Sequence, residues 1–215
     1  MILEDVVLFP QMMLPLYIFE TRYRQMLTES LGGSRMFCVA RKRPEAQEEC
    51  PERVAGIGLV RVALDHENGS SHLVLQGLTR VMLKSVGQFR TFPNYEIKPL
   101  ETKIENEERL HALSDRVNQI ARKLLDGGED NDPCMVPVMT SSSTSADGQD
   151  DGTGRAKILE YLRYLDDPEQ IGDLIASSLI RSCAMKQQLL TITSLEDRLD
   201  YLAKCLIEEN RLPLQ

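Results

Sequence analysis

Apolar positions change their period near the middle of the chain. Up to about residue 100 they come in short runs broken by Gly, Pro and Asn; beyond it they recur every three or four residues. Residues 6–10 form an apolar run stopped by Pro10, and residues 14–19 form a second, which Pro15 restricts to an edge strand or an extended segment. Between 21 and 31 the period becomes helical: Tyr23, Met26, Leu27 and Leu31 share a face, and Gly32-Gly33 follow where a helix stops. Residues 36–40 read as a buried strand and 41–53, with Pro44 and Pro51, as an exposed loop. Residues 54–64 read as a strand in which Gly56 and Gly58 mark a bulge or bend. Asn68-Gly69 is a hairpin signal, 72–76 and 79–86 are return strands broken by Gly77, and 95–100 alternates. Strands at this spacing with one short helix predict a small, strongly bent sheet or partly open barrel.

The second half predicts helices. Leu110, Leu113, Val117, Ile120 and Leu124 make one stripe over 107–125, and Leu159, Leu162 and Leu165 another over 156–165. Asp167-Pro168-Glu169-Gln170 carries its own start signal: Asp167 accepts an orphan backbone N–H, Pro168 supplies the helical φ, and Gln170 reaches back. Ile171, Leu174, Ile175 and Leu179 form the buried side of that helix. Ser194-Leu195-Glu196-Asp197 opens the helix with the firmest pattern, through Leu195, Leu199, Leu202 and Leu206. Between these helices, residues 126–155 hold a Ser/Thr cluster at 140–145 and an acidic Gly-rich stretch at 147–154. This stretch reads as a flexible insertion whose sole apolar island is 134–139. The fold class is α+β: a β-rich part over 1–102, then a helical part over 103–215 carrying the insertion.

Charge narrows the function. The chain has 215 residues and a formal net charge of −8, which argues against a general nucleic-acid binder that must displace counterions from phosphate. No apolar run approaches the ~20 residues of a membrane helix. Glu4 and Asp5 stand where a leader would be apolar or basic, so a cytoplasmic protein is expected. The five cysteines, Cys38, Cys50, Cys134, Cys183 and Cys205, form no C-x-x-C pair and are expected as reduced thiols. Asn68-Gly69-Ser70 matches a glycosylation acceptor but reads as a turn.

The catalytic motifs that would announce an enzyme are missing. The chain contains no Gly-x-x-x-x-Gly-Lys-Ser/Thr loop, no H-E-x-x-H and no Gly-x-Ser-x-Gly. His66 and His72 can face each other across the Asn68-Gly69 turn, with Asp65 or Glu67 as further ligands. Zinc sites need three or four placed ligands, so solvated turn histidines are the expected state. Cys38 and Cys205 sit in apolar patterns and read as packing elements, and the serines at 141–145 have neither a base nor a rigid pocket. No catalytic residue, metal or cofactor is expected. What stands out is apolar material near the start: Met12-Met13 beside Leu14, with Phe9, Tyr17 and Phe19 nearby. Flexible thioethers adapt to varied apolar partners. Phe9 and Phe19 are expected to fill the core, whereas Met12 and Met13 lie in the turn between two extended runs and fit core or surface.

Residues 5–20, Asp-Val-Val-Leu-Phe-Pro-Gln-Met-Met-Leu-Pro-Leu-Tyr-Ile-Phe-Glu, followed by Arg22-Tyr23-Arg24, resemble the opening signature of the N-terminal domain of ATP-dependent Lon proteases. Four further pieces fit in order: Gly56-Ile57-Gly58 with Val60; Leu75 to Val81, which resembles the family's Gly-x-x-Arg strand; Asp167 to Ala176, which resembles its "DP" helix start; and Lys186 to Leu190 with Arg198-Leu199. The resemblance covers nearly the whole chain apart from the insertion. It implies a β-rich, PUA-like pseudo-barrel followed by a helical bundle, and a domain that in full Lon enzymes is taken to hold substrate polypeptide. The ATPase and Ser–Lys protease domains would follow Gln215, so a stand-alone, non-enzymatic Lon-domain protein is expected.

Two departures matter: only Met1 to Glu4 precede Asp5, where the family places a strand, so that strand is expected to be clipped or the true start to lie upstream; and the family joins the two helices flanking 126–155 by a short connection. The functional expectation is a polypeptide-recognition module, acting as an adaptor in protein quality control, that grips unfolded or tagged chains around Met12, Met13 and Leu16 and works with a protease or chaperone. RNA binding by a PUA-like barrel is the alternative, and hydrolysis through an unrecognised site ranks below it.

Overall fold

The computed structural model describes residues 1–46, 50–86, 91–127 and 153–209. The predicted insertion lies outside the described residues except at its ends, where helices continue into it. Two compact units divide the chain, Met1–Glu101 and Thr102–Gln215. The first holds strands β1 (Ile2–Leu3), β2 (Met13–Ile18), β3 (Met36–Arg41), β4 (Val54–Asp65), β5 (Ser71–Val86) and β6 (Tyr95–Pro99), with helix α1 (Thr21–Leu31) between β2 and β3. The second holds α2 (Glu107–Gly127), α3 (Thr153–Tyr164), α4 (Pro168–Leu179), α5 (Cys183–Thr191) and α6 (Leu195–Glu209). The fold is α+β.

The sheet runs β1-β3-β4-β5-β2, and β6 joins the far half of β5. Residues 71–76 of β5 pair with β2 and residues 81–86 with β6, so the β4–β5 hairpin is a spine shared by both halves of the sheet. Gly77 does not end a strand as expected. It pairs with Gly58 across the hairpin beside a register shift, and β5 runs through the bend as one strand of 16 residues.

The bend has a visible cause. The apolar run at 6–9 joins no strand ladder but lies against the glycines, with Leu8 and Phe9 almost wholly buried. A Cβ on Gly56 would sit 2.1 Å from the Leu8 carbonyl oxygen, and one on Gly77 would sit 2.0 Å from that of Phe9. Hydrogen then replaces a side chain so that one backbone can cross another. The crossing is tied down at its end, where Gly77 N–H donates to Met12 O at 2.8 Å and Gln11 N–H donates to Gly77 O at 2.9 Å.

Among the described residues, two apolar clusters lie in this unit. The larger joins Leu8, Leu14 and Ile18 to Tyr23, Met26 and Leu27 of α1 and to Leu73 and Leu75; the smaller joins Ala40, Ala55, Val81 and Leu83. Helix α1 ends at the glycines as its pattern predicts, but Arg35 takes the left-handed turn, with φ 59 and its N–H on Ser30 O at 2.8 Å.

In the second unit, α4 starts as its sequence dictates: Asp167 accepts from Glu169 N at 2.9 Å, and Gln170 Nε2 reaches back to it at 3.0 Å. Ser194 caps α6 by accepting from Asp197 N at 3.2 Å. On α2 the buried line is Leu110, Val117, Ala121 and Leu125, so Leu113, Ile120 and Leu124 flank it half-buried. Periodicity did not announce α5. Lys186 and Gln187 are buried beside Leu189 and Leu190, so no clean stripe exists, and Lys186 Nζ is satisfied by donating to Ser177 O at 2.9 Å.

Candidate functional site

Strand β2 sorts its residues by alternation. Leu14 and Ile18 face the core at 7% and 1% exposure, and Leu16 leans on the same cluster half-buried. The intervening Met13, Pro15 and Tyr17 therefore face outward. Register extends this outer face across three strands. Tyr17 lies opposite His72 and His72 opposite Leu64; Pro15 lies opposite Val74 and Val74 opposite Val62. Directly opposed residues share a face, so the two rows make one contiguous surface. It is open to solvent: Tyr17 is 46% exposed, Val62 49%, Leu64 62%, and Phe19, just past the strand, 63%.

The surface is held in place. The Tyr17 ring stacks on Phe19 at 5.9 Å between centroids and lies 4.6 Å from the His72 ring. Tyr17 Oη donates to Ser70 Oγ at 2.9 Å, and Ser70 Oγ donates to Asn68 Oδ1 at 2.7 Å. Ser70 N–H donates to the same Asn68 oxygen, so Asn68-Gly69-Ser70 is a side-chain-closed turn, as read from the sequence. A polar strip borders the apolar rows: Arg61 Nε donates to Gln76 Oε1 at 2.6 Å, and Gln76 Nε2 donates to Gln11 Oε1 at 3.3 Å.

The three residues singled out by sequence divide. Met12 and Leu16 are partly buried against the larger core cluster, whereas Met13 is half-buried on the outward side of β2. Phe9 fills the core as expected, but Phe19 does not. Phe19 lies one residue beyond Ile18, where the alternation of β2 turns away from the core and the chain enters α1. Tyr17 and Phe19 stood out in the sequence as apolar material, but their union with Val62 and Leu64 in one exposed set was missed. Its one signal in the sequence was the alternation within 13–18, which shows which residues leave the core but not that three strands would align their apolar outer positions.

A cleft of about 550 Å³ in the same unit lies between α1, β3 and β6, lined among others by Met26, Met36, Phe37, Phe92, Tyr95 and Ile97. Burial pushes the Cys38 thiol at its wall upward, and burial does the same to Cys205 in the second unit. Both thiols are thereby kept protonated and poorly nucleophilic. Among the described residues, no three His, Cys, Asp or Glu side chains group as a metal cage would need, and no helix is long and apolar enough to cross a membrane.

A family model described as the ATP-dependent protease La (LON) substrate-binding domain matches residues 1–208. The chain belongs to this family. The Lon protease of Elusimicrobium minutum is 25% identical over 215 residues, covering 96% of this chain and 23% of that protein. The Lon protease of Desulfovibrio desulfuricans is 27% identical over 200 residues, covering 91% and 20%. The chain thus spans less than a quarter of the length of these curated relatives. Among solved structures, the N-terminal domain of Mycobacterium avium complex Lon protease is similar at a TM-score of 0.72 and 15% identity, covering 97% of this chain and 96% of that one. The Lon N-terminal domain protein from Xanthomonas campestris gives a TM-score of 0.60 at 16% identity, covering 95% of each. These likenesses establish the fold.

In this LON-family chain several of the residues that carry the resemblance are scaffold, while others in the opening signature, Tyr17 and Phe19, are exposed. Gly56 and Gly77 admit the crossing segment, and Arg80 is 2% exposed with its carbonyl accepting Leu100 N–H at 2.9 Å. The "DP" start places Glu169 so that Arg198 Nη2 binds its Oε1 at 2.7 Å.

Proposed function

We propose that this LON-family domain recognises polypeptide without catalysis, and that it grips exposed apolar segments on the outer face of β2, β5 and β4. The observation that carries this reading is the pair of aligned rows, Tyr17–His72–Leu64 and Pro15–Val74–Val62, with Phe19 stacked at the edge. Isolated apolar side chains at a surface are ordinary; a contiguous, rigidly held patch with a polar border is what partner surfaces look like. Met13 joins this face, while Met12 and Leu16 support it from the core side. The family description supports a polypeptide ligand. In this reading the protein acts in the cytoplasm as an adaptor in protein quality control, presenting unfolded or tagged chains to a protease or chaperone.

The test is affinity for a permanently unfolded, carboxymethylated protein. Tyr17→Ser, Phe19→Ser and Leu64→Ser combined remove about 1 kcal/mol of apolar contact each at an interface, so at least tenfold weaker binding is expected with the circular-dichroism spectrum unchanged. Undiminished binding by the folded triple variant would move the site elsewhere, and the cleft beside Met36 and Ile97 would be the next to test.

A further inference from the structure

We propose that His66 and His72 form a two-histidine chelate for a divalent transition metal, with Cu²⁺ preferred over Ni²⁺ and Zn²⁺. This assignment does not depend on the polypeptide-binding reading. His72 stands on β5 opposite Leu64, and His66 is the first residue of the turn after β4. The turn is closed three ways: His66 N–H donates to Ser70 O at 2.8 Å, Gly69 N–H donates to His66 O at 2.8 Å, and Asn68 Oδ1 takes the Ser70 N–H. Gly69 supplies the left-handed step, φ 77. Tyr17 packs on the His72 ring at 4.6 Å. This fixed frame brings His66 Nε2 to 2.6 Å from His72 Nδ1, with the rings nearly perpendicular at 87°.

At this distance the two ring nitrogens are hydrogen-bonded, and which of them donates depends on the tautomer. A metal binds the pair once the donating ring carries its N–H on its other nitrogen, so that both facing nitrogens offer lone pairs and no proton has to leave the site. With metal–nitrogen bonds of about 2.0–2.1 Å, adjacent ligands in a tetrahedral or square-planar sphere stand roughly 3 Å apart. Opening the pair by a few tenths of an ångström is within the reach of exposed side-chain torsions. Both rings are open to solvent, so water completes the sphere. Asp65, the carboxylate nearest in sequence, is not a ligand. Strand alternation sends it to the opposite face from Leu64 and His72, where it accepts from Ser71 Oγ at 2.6 Å and lines a groove with Arg24 and Thr28 of α1. A site with only two imidazoles and water holds best the metals that bind nitrogen most strongly, which places Cu²⁺ first.

The experiment titrates Cu²⁺ into the untagged full chain, read by calorimetry and by electron paramagnetic resonance. One equivalent is expected to bind at least tenfold more tightly to the natural chain than to His66→Ala or His72→Ala, with the nitrogen hyperfine structure of two coordinated imidazoles reduced in either single variant and lost in the double variant. His111→Ala, on α2, is expected to bind as the natural chain does. Equal Cu²⁺ affinity in the natural chain and the His66→Ala/His72→Ala double variant would overturn the assignment, as would an equal loss in His111→Ala.

Discussion

Glycine sets the shape of the sheet one hydrogen atom at a time. At Gly77 an added methyl would overlap the Phe9 carbonyl oxygen at 2.0 Å, and backbone on both sides cannot swing away as a flexible side chain could. Gly77→Ala is therefore expected to cost about 3 kcal/mol or more, at or above the upper range of overpacked cores, measured by urea denaturation. Gly154 is the contrast. It is exposed near the start of α3, and a Cβ there meets nothing within 4 Å. Gly154→Ala is expected to stabilise by roughly 0.5–1 kcal/mol through the lower entropy of the unfolded chain. The sequence marks both residues only as glycine; the difference of sign lies entirely in what stands opposite.

At the level of elements, the helices hold one another by their ends. The Glu196 carboxylate on α6 accepts the backbone N–H groups of Glu105 and Asn106, each at 2.7 Å, just ahead of α2. Burial pushes its pKa upward, but these bonds, together with those from its own backbone N–H and from Ser194, outweigh burial and leave it below the ordinary carboxylate value. The sign follows. A carboxylate with a depressed folded pKa contributes stability above its unfolded pKa, and that contribution is lost as pH falls through the folded value. The melting temperature of the natural chain should therefore drop below about pH 4.5, near the ordinary glutamate value, and Glu196→Gln should flatten that acid limb. Glu196→Ala should cost about 2 kcal/mol at neutral pH by stranding two N–H groups.

Elements were legible where local chemistry set them. The α1 pattern and the Asp167 cap gave their helices because a stripe or a cap is a short-range cause. Helix α5 was missed because Lys186 and Gln187 are buried on it and blur its stripe, and the Ser177 O that satisfies Lys186 lies outside the helix, where no periodicity reveals it. The continuity of β5 through Gly77 was missed for a related reason. Glycine reads as a break unless the strand paired with it, here at Gly58, is known to bend alongside.

For the whole molecule, the net charge of −8 and the apolar outer face predict the character of binding. Association with an unfolded polypeptide should show a negative heat-capacity change and persist from 0.05 to about 0.5 M salt, because it rests on apolar area rather than on counterion release. Affinity that collapses over that range would show that charge pairing rather than apolar area carries the contact, and the nucleic-acid alternative would show as RNA binding with a steep salt slope in the same titration. Calorimetry at two temperatures and two salt concentrations separates them.

The change from strands to helices, most of the helices, the two caps, the hairpin at Asn68-Gly69 and the family itself were written in the sequence, because each depends on residues near one another along the chain. The binding face was not. Tyr17, Leu64 and Val62 became neighbours only when the register of three strands was set, and Phe19 left the core only because the chain turns into α1 directly after β2. Alternation fixes which side of a strand is apolar; which strands stand beside it, and hence whether lone apolar residues merge into a surface, is a long-range matter that tertiary pairing alone decides.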